Sequence, residues 1–214
     1  EMLNPKKFIT LPVDTKPQLI VVIDTEEEFD WTKKPQRTST AVTAMSEIYR
    51  VQEIFKEYGI VPCYVVDHPI ASNPSSVKSI KGYVDNNECE IGAHLHPWVN
   101  PPLVEELSFS NMYPGNLDKE IEFEKLKNLK NQIKSSFGIT PTLYKAGRCG
   151  IGPNTAEILK ELEFTIDVSV CAGFDYSADG GPDFSGSTSY PYWFGGSNES
   201  LEIPMTGGFV GMAG

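Results

Sequence analysis

Residues 18–26 read Q-L-I-V-V-I-D-T-E, in which five aliphatic side chains in succession lead to a carboxylate. Apolar residues at consecutive positions would make both faces of a strand apolar, which is typical of a parallel strand buried between layers of helices. Asp24 closes this run and Glu26 lies two positions further on. The stretch predicts the first strand of a parallel sheet, with acidic groups at its carboxyl end.

Strand and helix patterns alternate along the rest of the chain. Further strands are predicted at 60–66, 90–96, 142–146, 164–168 and 200–204, and helices at 41–58, 73–84, 118–137 and 154–162. This alternation predicts an α/β fold with a parallel sheet. An open doubly wound sheet and a distorted (β/α) barrel both agree with the pattern, and periodicity alone favours neither.

The bulk composition limits the classes of partner. The 214 residues suit a single domain spanning 1–214, and the formal net charge of −11 argues against nucleic acid or anionic lipid as a partner. No run approaches the ~20 apolar residues of a membrane span. The four cysteines form no C-x-x-C pair, and no apolar signal peptide is visible near the N-terminus. We therefore expect a reducing, cytoplasmic location.

Polar residues gather where the predicted strands end. In chain order they are Asp24 and Glu26, Asp67 and His68, His94 and His96, Arg148, and Asp167 inside the fifth strand. Ligands and catalysis collect at the carboxyl ends of parallel strands in α/β folds. The sequence therefore predicts that these side chains form one site.

The pattern His94-Leu95-His96 favours metal binding. Residues two apart on a strand point to the same face, so both imidazoles can reach one ion. The alternative is two unrelated histidines, one buried and one exposed. We favour a metal, because the pair holds two of only three histidines in the chain and ends a strand.

Asp24 and Glu26 are the candidate acidic members of the site. One carboxylate would complete the metal ligands, and the other would accept a proton from a water that the metal activates. The alternative is a solvated acidic loop, since Glu27, Glu28 and Asp30 follow. Asp24 fits that alternative poorly, because it directly ends a buried strand.

Three segments carry a resemblance to a known family. They are VVIDTEEEFDW at 21–31, EIGAHLHPW at 90–98 and YKAGRCGIG at 144–152. Together they resemble the motifs of the polysaccharide deacetylase (NodB-like, carbohydrate esterase family 4-like) superfamily, closest to its WalW-like branch, over roughly residues 18–211. The resemblance implies a distorted (β/α) barrel, a divalent metal that is most often zinc, and hydrolysis of an N-acetyl group on a sugar or polysaccharide.

The resemblance also implies a role for individual residues. Asp24 would be the general base, and Glu26, His94 and His96 the metal ligands. Arg148 would hold Asp24, and Asp167 would brace Arg148. The family's two histidines are usually four apart, whereas here they are two apart.

One departure concerns the general acid. Family members usually carry a late histidine in that role, and this chain has none after His96. The last residues, 208–214, resemble an internal segment, which predicts a barrel that is incomplete at its C-terminus. The alternatives are that another residue is the acid, with His68 as a candidate, or that activity is lost.

Aromatic residues suggest where a carbohydrate would bind. A segment at 171–197 is rich in aromatic rings, and we favour a packing role for them, because such rings bury large apolar areas. Trp31 and Trp98 each follow a proposed site motif. Trp31, Trp98 and His68 are therefore the predicted substrate-binding residues.

Other functions account for fewer of these features. An amidohydrolase barrel also uses H-x-H, but on its first strand and with two later histidines. A glycosidase would need Asp24 and Glu26 on opposite sides of a glycosidic bond, which neighbouring loop residues could hardly achieve. A catalytically silent sugar-binding homologue of the same fold stays open, supported by the missing late histidine.

Overall fold

A mixed eight-stranded sheet organises the chain. The computed structural model describes residues 7–195 and 200–207, and the strands run in the order β1-β7-β8-β6-β5-β4-β3-β2. Their bounds are β1 Lys7–Phe8, β2 Val22–Thr25, β3 Cys63–Val66, β4 Glu90–Leu95, β5 Leu143–Ala146, β6 Ile166–Asp167, β7 Tyr192–Phe194 and β8 Ser200–Glu202. Strands β2 to β6 pair in parallel, β8 joins β6 in parallel, and β7 is antiparallel to both β1 and β8.

Helices connect the parallel strands, as the alternation predicted. The α-helices are α1 Ile48–Glu57, α2 His68–Ser72, α3 Pro74–Asp85, α4 Lys119–Phe137 and α5 Thr155–Glu161. Six short 3-10 helices complete the described elements: Thr43–Glu47, Pro97–Val99, Ser110–Met112, Pro114–Asn116, Gly147–Cys149 and Ser177–Asp179. None of the helices in the described part of the chain has the length and apolar character needed to cross a membrane.

Local sequence explains where several helices begin and end. The Asn73 side chain accepts hydrogen bonds from the backbone N–H groups of Ser75 and Ser76, and Pro74 occupies the first helical position of α3. Asp67 caps α2 through the N–H of Ile70. Gly138, with φ 75°, ends α4 in the left-handed conformation that glycine adopts readily.

The core lies between the central strands and the helices that cover them. Strand β3 is buried at all four positions, and β4 at every position except Glu90. Gly92 in β4 is required by close packing, since a Cβ there would lie 2.8 Å from the Val65 side chain and 2.9 Å from that of Leu143. The apolar stripe of α4 packs on this sheet through Leu126, Leu129, Ile133 and Phe137.

Some elements differ from the sequence-based expectation. The first strand begins at Val22, and Leu19 and Ile20 before it are 77% and 57% exposed. Within the described sheet β2 pairs only with β3, so the aliphatic run continues beyond the ladder that would bury it. Helix α2 and strand β7 were not predicted. Residues 208–214, including the predicted end of the family resemblance at Gly211, lie outside the described residues.

A buried carboxyl group in α4 makes the stability depend on pH. Glu122 is 0% exposed and accepts a hydrogen bond from the Thr155 hydroxyl at 2.6 Å. Burial raises the pKa of Glu122 from 4.5 to about 7, although the Thr155 hydrogen bond opposes this shift. The folded state therefore holds the Glu122 proton more tightly than the unfolded chain does.

We predict that Glu122→Gln flattens the pH dependence of unfolding. A carboxyl group whose pKa is raised on folding contributes stability that is fully present below pH 4.5 and is lost as the pH rises to about 7. The difference in free energy of unfolding between wild type and variant should change by up to about 3 kcal/mol across this window. Urea unfolding at several pH values measures it. The control is Glu120→Gln at an exposed position of α4, which should keep the wild-type pH dependence. Parallel pH profiles of wild type and Glu122→Gln would contradict the prediction.

Candidate functional site

The parallel register brings the strand-end residues together. Asp24 pairs with Val65 on β3, which pairs with Gly92 on β4, and His94 two residues later pairs with Lys145 on β5. At this edge of the sheet a cavity of about 630 Å³ opens. The charged and titratable side chains lining it include Asp24, Glu26, His94, His96, Lys145 and Arg148.

His94 has one ring nitrogen committed to the backbone and the other directed at a carboxylate. Its Nδ1 lies 2.9 Å from the carbonyl oxygen of Lys145, and its Nε2 lies 3.1 Å from Oε2 of Glu26. A carbonyl oxygen can only accept, so Nδ1 must carry the proton. In the neutral ring the Nε2 lone pair then faces a carboxylate oxygen, and a proton or a cation between them would make this contact favourable.

His96 repeats this arrangement with a carboxylate in place of the carbonyl. Its Nδ1 lies 2.8 Å from Oε2 of Glu27, and its Nε2 lies 3.4 Å from Oε2 of Glu26. Nε2 is buried and makes no hydrogen bond with any described residue. Burial lowers the pKa of His96 despite the nearby acidic groups, which favours the neutral ring. A neutral histidine oriented by a carboxylate is the form that ligates metals.

The three donor atoms form a group of suitable size for a divalent ion. Donor atoms of Glu26, His94 and His96 lie within 4.8 Å of one another, and Glu26 is the partly exposed member. Ligands at ~2.0–2.2 Å from a tetrahedral ion are separated by roughly 3.4 Å. The separations of 3.1 Å and 3.4 Å across this group agree with that spacing. Glu27, Asp67 and His96 form a second possible group, but all three residues are buried.

Asp24 is paired with Lys145, which the sequence analysis did not single out. The Lys145 ammonium donates to Oδ2 of Asp24 at 2.6 Å. Burial alone would raise the pKa of Asp24. The charges of His94 and Lys145 lower it by more than burial raises it, so the pKa lies below its ordinary value. Burial alone would lower the pKa of Lys145, but the nearby Asp24 carboxylate raises it above its usual range. Both groups are therefore charged at neutral pH. A lysine inside the buried strand Y-K-A was the available clue to this role.

The expected contacts of Arg148 with Asp24 and of Asp167 with Arg148 are not found among the described residues. The Arg148 guanidinium lies over the Tyr113 ring, 4.4 Å from its centroid, and 3.6 Å from the Asp179 carboxylate. Asp167 is fully buried, and its hydrogen-bond partners are Ser169 and Glu202 and not Arg148. Arg148 lies in the turn that follows β5 and so points away from Asp24. Lys145 lies within β5, opposite β4, and reaches Asp24 instead.

Glu27 is a buried member of the site that the sequence analysis named only within the alternative of a solvated acidic loop. It is 2% exposed, its backbone N–H donates to the Asp67 carboxylate at 2.8 Å, and its own carboxylate orients His96. Burial raises the pKa of Glu27 to about 7, and burial with the neighbouring Glu27 also raises that of Asp67. Four acidic residues within five positions gave no pattern that would separate Glu27 from its exposed neighbours.

The predicted substrate-binding residues lie in different environments. Trp31 is 50% exposed and lines the cavity. Trp98 is 1% exposed and stacks on the His96 ring at 4.3 Å, so it packs the site from beneath and has no free face for a sugar. His68 is half-buried, begins α2 and does not line this cavity. Within the aromatic segment, Phe184, Tyr192 and Phe194 are buried, in agreement with the packing interpretation, whereas Tyr190 is 72% exposed.

Comparison with known proteins identifies the architecture. No protein-family model and no curated protein matches the sequence. A solved structure described as a polysaccharide deacetylase from Mycobacterium smegmatis superposes with a TM-score of 0.61 at 16% identity, over 95% of this chain and 64% of that one. The fold is that of the polysaccharide deacetylases. This confirms the predicted fold class, and the chain spans about 64% of the length of that protein.

Two further structures with this architecture differ in their described activity. A 4-α-glucanotransferase from Thermococcus litoralis has a TM-score of 0.55 at 14% identity, over 87% of this chain and 27% of that one. A mutant of a Bacillus anthracis family 4 carbohydrate esterase pseudoenzyme, with restored enzymatic activity, has a TM-score of 0.50 at 11% identity, over 82% and 49%. The fold therefore leaves the activity to be argued from the site.

We predict that Gly147→Ala destabilises the protein while Gly82→Ala does not. A Cβ at Gly147 would lie 2.4 Å from the Leu95 carbonyl oxygen and 2.6 Å from the His96 ring, so backbone must shift. Such overpacking costs about 1–3 kcal/mol of unfolding free energy. Gly82 lies in α3 with no atom within 4 Å, and alanine there should stabilise by up to about 1 kcal/mol. Urea unfolding measures both, and a Gly147→Ala variant as stable as wild type would refute the proposed packing.

Proposed function

We propose that this chain is a metal-dependent hydrolase that removes an N-acetyl group from a sugar or polysaccharide, as a member of the polysaccharide deacetylase superfamily and closest to its WalW-like branch. The observation that carries the proposal is the convergence of His94 Nε2 and His96 Nε2 on Oε2 of Glu26, with Asp24 beside them in one cavity. The deacetylase fold and the three sequence motifs support the same activity.

The three candidate ligands are of the types that bind a catalytic zinc ion. Glu26 offers a carboxylate, and the histidines offer two nitrogens whose other ring atoms are held by Lys145 and Glu27. Two nitrogens and one oxygen are typical of catalytic zinc sites, which leave a position for water or substrate. When bound, such an ion supplies Lewis acidity, which polarises a carbonyl oxygen and lowers the pKa of water.

Asp24 is the proposed general base. Its lowered pKa keeps it ionised, and the Lys145 contact fixes the position of one carboxylate oxygen. The side chain is 40% exposed, so its second oxygen can reach a water in the cavity. General-base chemistry requires this combination of an ionised, positioned and accessible group.

The proposed reaction balances with the residues of this cavity. Asp24 takes a proton from the attacking water, whose oxygen bonds to the acetyl carbon. Asp24 gives this proton to the acetamide nitrogen as the C–N bond breaks, so that acetate and the free amine of the sugar leave. Asp24 is therefore both the base and the acid of the proposed reaction. His68 has no part in this proposal, since it lies outside the lining of the cavity.

A silent homologue is the second candidate. The observation that favours it is limited to residues 97–214, which contain no histidine. Such a protein would bind metal or sugar and release no acetate, so turnover separates the two candidates.

We predict that the purified chain binds about one divalent metal ion, as a three-ligand site would. The double variant His94→Ala/His96→Ala should lose the metal ion. The variant His68→Ala should retain it, because His68 is not among the candidate ligands Glu26, His94 and His96. Elemental analysis after incubation with zinc and removal of free ions measures the content. A double variant with undiminished metal, or a wild type with none, would remove these histidines from the ligand set.

We predict that Asp24→Asn lowers acetate release by at least about 100-fold, the contribution typical of a positioned base. Metal content should stay at the wild-type level, because Asp24 is not in the ligand group. Acetate released from N-acetylated mono- and oligosaccharides is the measured quantity, with the exposed Asp14→Asn as control. Equal rates in Asp24→Asn and wild type would exclude Asp24 as the base. A wild type that binds metal but releases no acetate would favour the silent homologue.

A further inference from the structure

Arg148 lies in the same cavity as the candidate metal ligands and has no assigned role there. Its guanidinium packs face to ring with Tyr113 at 4.4 Å and lies 5.7 Å from the centroid of Trp31. Tyr113 is 1% exposed, and the Arg148 side chain is 19% exposed. The aromatic contacts therefore limit the space open to the guanidinium and its access to water.

The N–H groups at the edge of this guanidinium are nearly unused. An arginine carries five N–H donors. Across the described residues, the hydrogen-bond partner of the guanidinium is the Met112 sulfur at 3.6 Å, and a thioether is a weak acceptor. The Asp179 carboxylate lies at 3.6 Å and is 69% exposed, so this pair is largely solvated and contributes little.

The backbone holds Arg148 in an uncommon conformation. Arg148 and Cys149 both have positive φ, at 55° and 56°, which costs a non-glycine residue roughly 1 kcal/mol or more. Flanking glycines make the turn possible: Gly147 lies against the Leu95 carbonyl, and a Cβ at Gly150 would lie 2.9 Å from Tyr113 Cα. Strain that surrounding packing maintains is often found where a side chain must be presented to a ligand.

The other cation of the cavity is already neutralised. Lys145 is bound to Asp24 at 2.6 Å, so Arg148 is the cationic group among the described lining residues that lacks a short contact with a carboxylate. A guanidinium fork recognises carboxylate and phosphate through paired N–H donors, and the interaction strengthens where water is restricted.

We propose that Arg148 is a specificity-determining residue that binds an oxyanion carried by the sugar, either a carboxylate or a phosphate. The inference rests on the proposed function, since it places this group on the substrate of the same cavity. It makes the preferred substrate an anionic N-acetyl sugar, bound by a chain whose own net charge is −11. Binding of that anion depends on a local cation and is opposed by the charge of the rest of the protein.

Equilibrium binding tests this independently of turnover. Calorimetric titrations at low salt compare neutral N-acetylglucosamine with N-acetylglucosamine 1-phosphate and with N-acetylglucosaminuronic acid, which separate the two oxyanion sources. We expect at least one anionic sugar to bind wild type roughly tenfold or more tightly than the neutral sugar, as charge-assisted hydrogen bonds allow. Arg148→Gln should abolish this ratio and Arg148→Lys should keep part of it.

Three controls distinguish Arg148 from the other charged groups that could bind or repel the anion. Arg50→Gln removes the same charge from an exposed side chain and should leave the ratio unchanged. Wild type freed of metal by a chelator should also keep the ratio, which excludes anion binding by a metal and does not depend on deacetylase activity. Asp179→Asn should keep or increase it, because it removes a competing charge 3.6 Å from Arg148.

Several results would overturn the proposal. The proposal is wrong if wild type binds the neutral sugar and both anionic sugars with equal affinity. It is also wrong if none of the three sugars binds detectably at millimolar concentration. Persistence of the ratio in Arg148→Gln, with a wild-type circular dichroism spectrum, would assign the anion to another group. Loss of the ratio in chelator-treated wild type would assign the anion to the metal site.

Discussion

The hydrogen bond from Nδ1 of His94 to the carbonyl of Lys145 connects most features of the site. It crosses from β4 to β5, and it selects the ring tautomer whose Nε2 lone pair points toward Glu26. The same lysine extends its side chain to Asp24 on β2. One residue of β5 therefore orients a candidate ligand through its backbone and a candidate base through its side chain. This depends on parallel pairing in register across β2, β3, β4 and β5, which no single strand determines.

The sequence predicted the architecture well because its parallel strands and long helices have strong local patterns. The stripe of α4, the buried run of β3 and the alternation of elements required no knowledge of long-range contacts. Elements that depend on distant partners were missed, such as the three-residue β7, which exists only through its pairing with β1 and β8. The first strand was predicted too long because the extent of a ladder depends on its neighbours.

For the site, strand ends identified Asp24, Glu26, His94 and His96, because the carboxyl ends of parallel strands share an edge. The residues that position these four side chains were harder to predict from the sequence. Arg148 was assigned by motif to the place that Lys145 occupies, and motif order contains no information about which side chain of Y-K-A-G-R faces the neighbouring strand. Trp98 follows the histidines in sequence, yet it stacks beneath His96 because Pro97–Val99 turns back under the strand.

The buried carboxyl groups affect the proton balance of the whole chain. Burial raises the pKa of Glu27 and Glu122 to about 7 and that of Asp67 and Glu202 well above its ordinary value. Glu122 and Glu202, which lie outside the candidate metal site, therefore make the charge of the native protein less negative than its formal −11 at neutral pH. Unfolding releases these protons to the solution. The heat of unfolding will consequently depend on the ionisation enthalpy of the buffer, and folding near neutral pH draws protons out of that buffer.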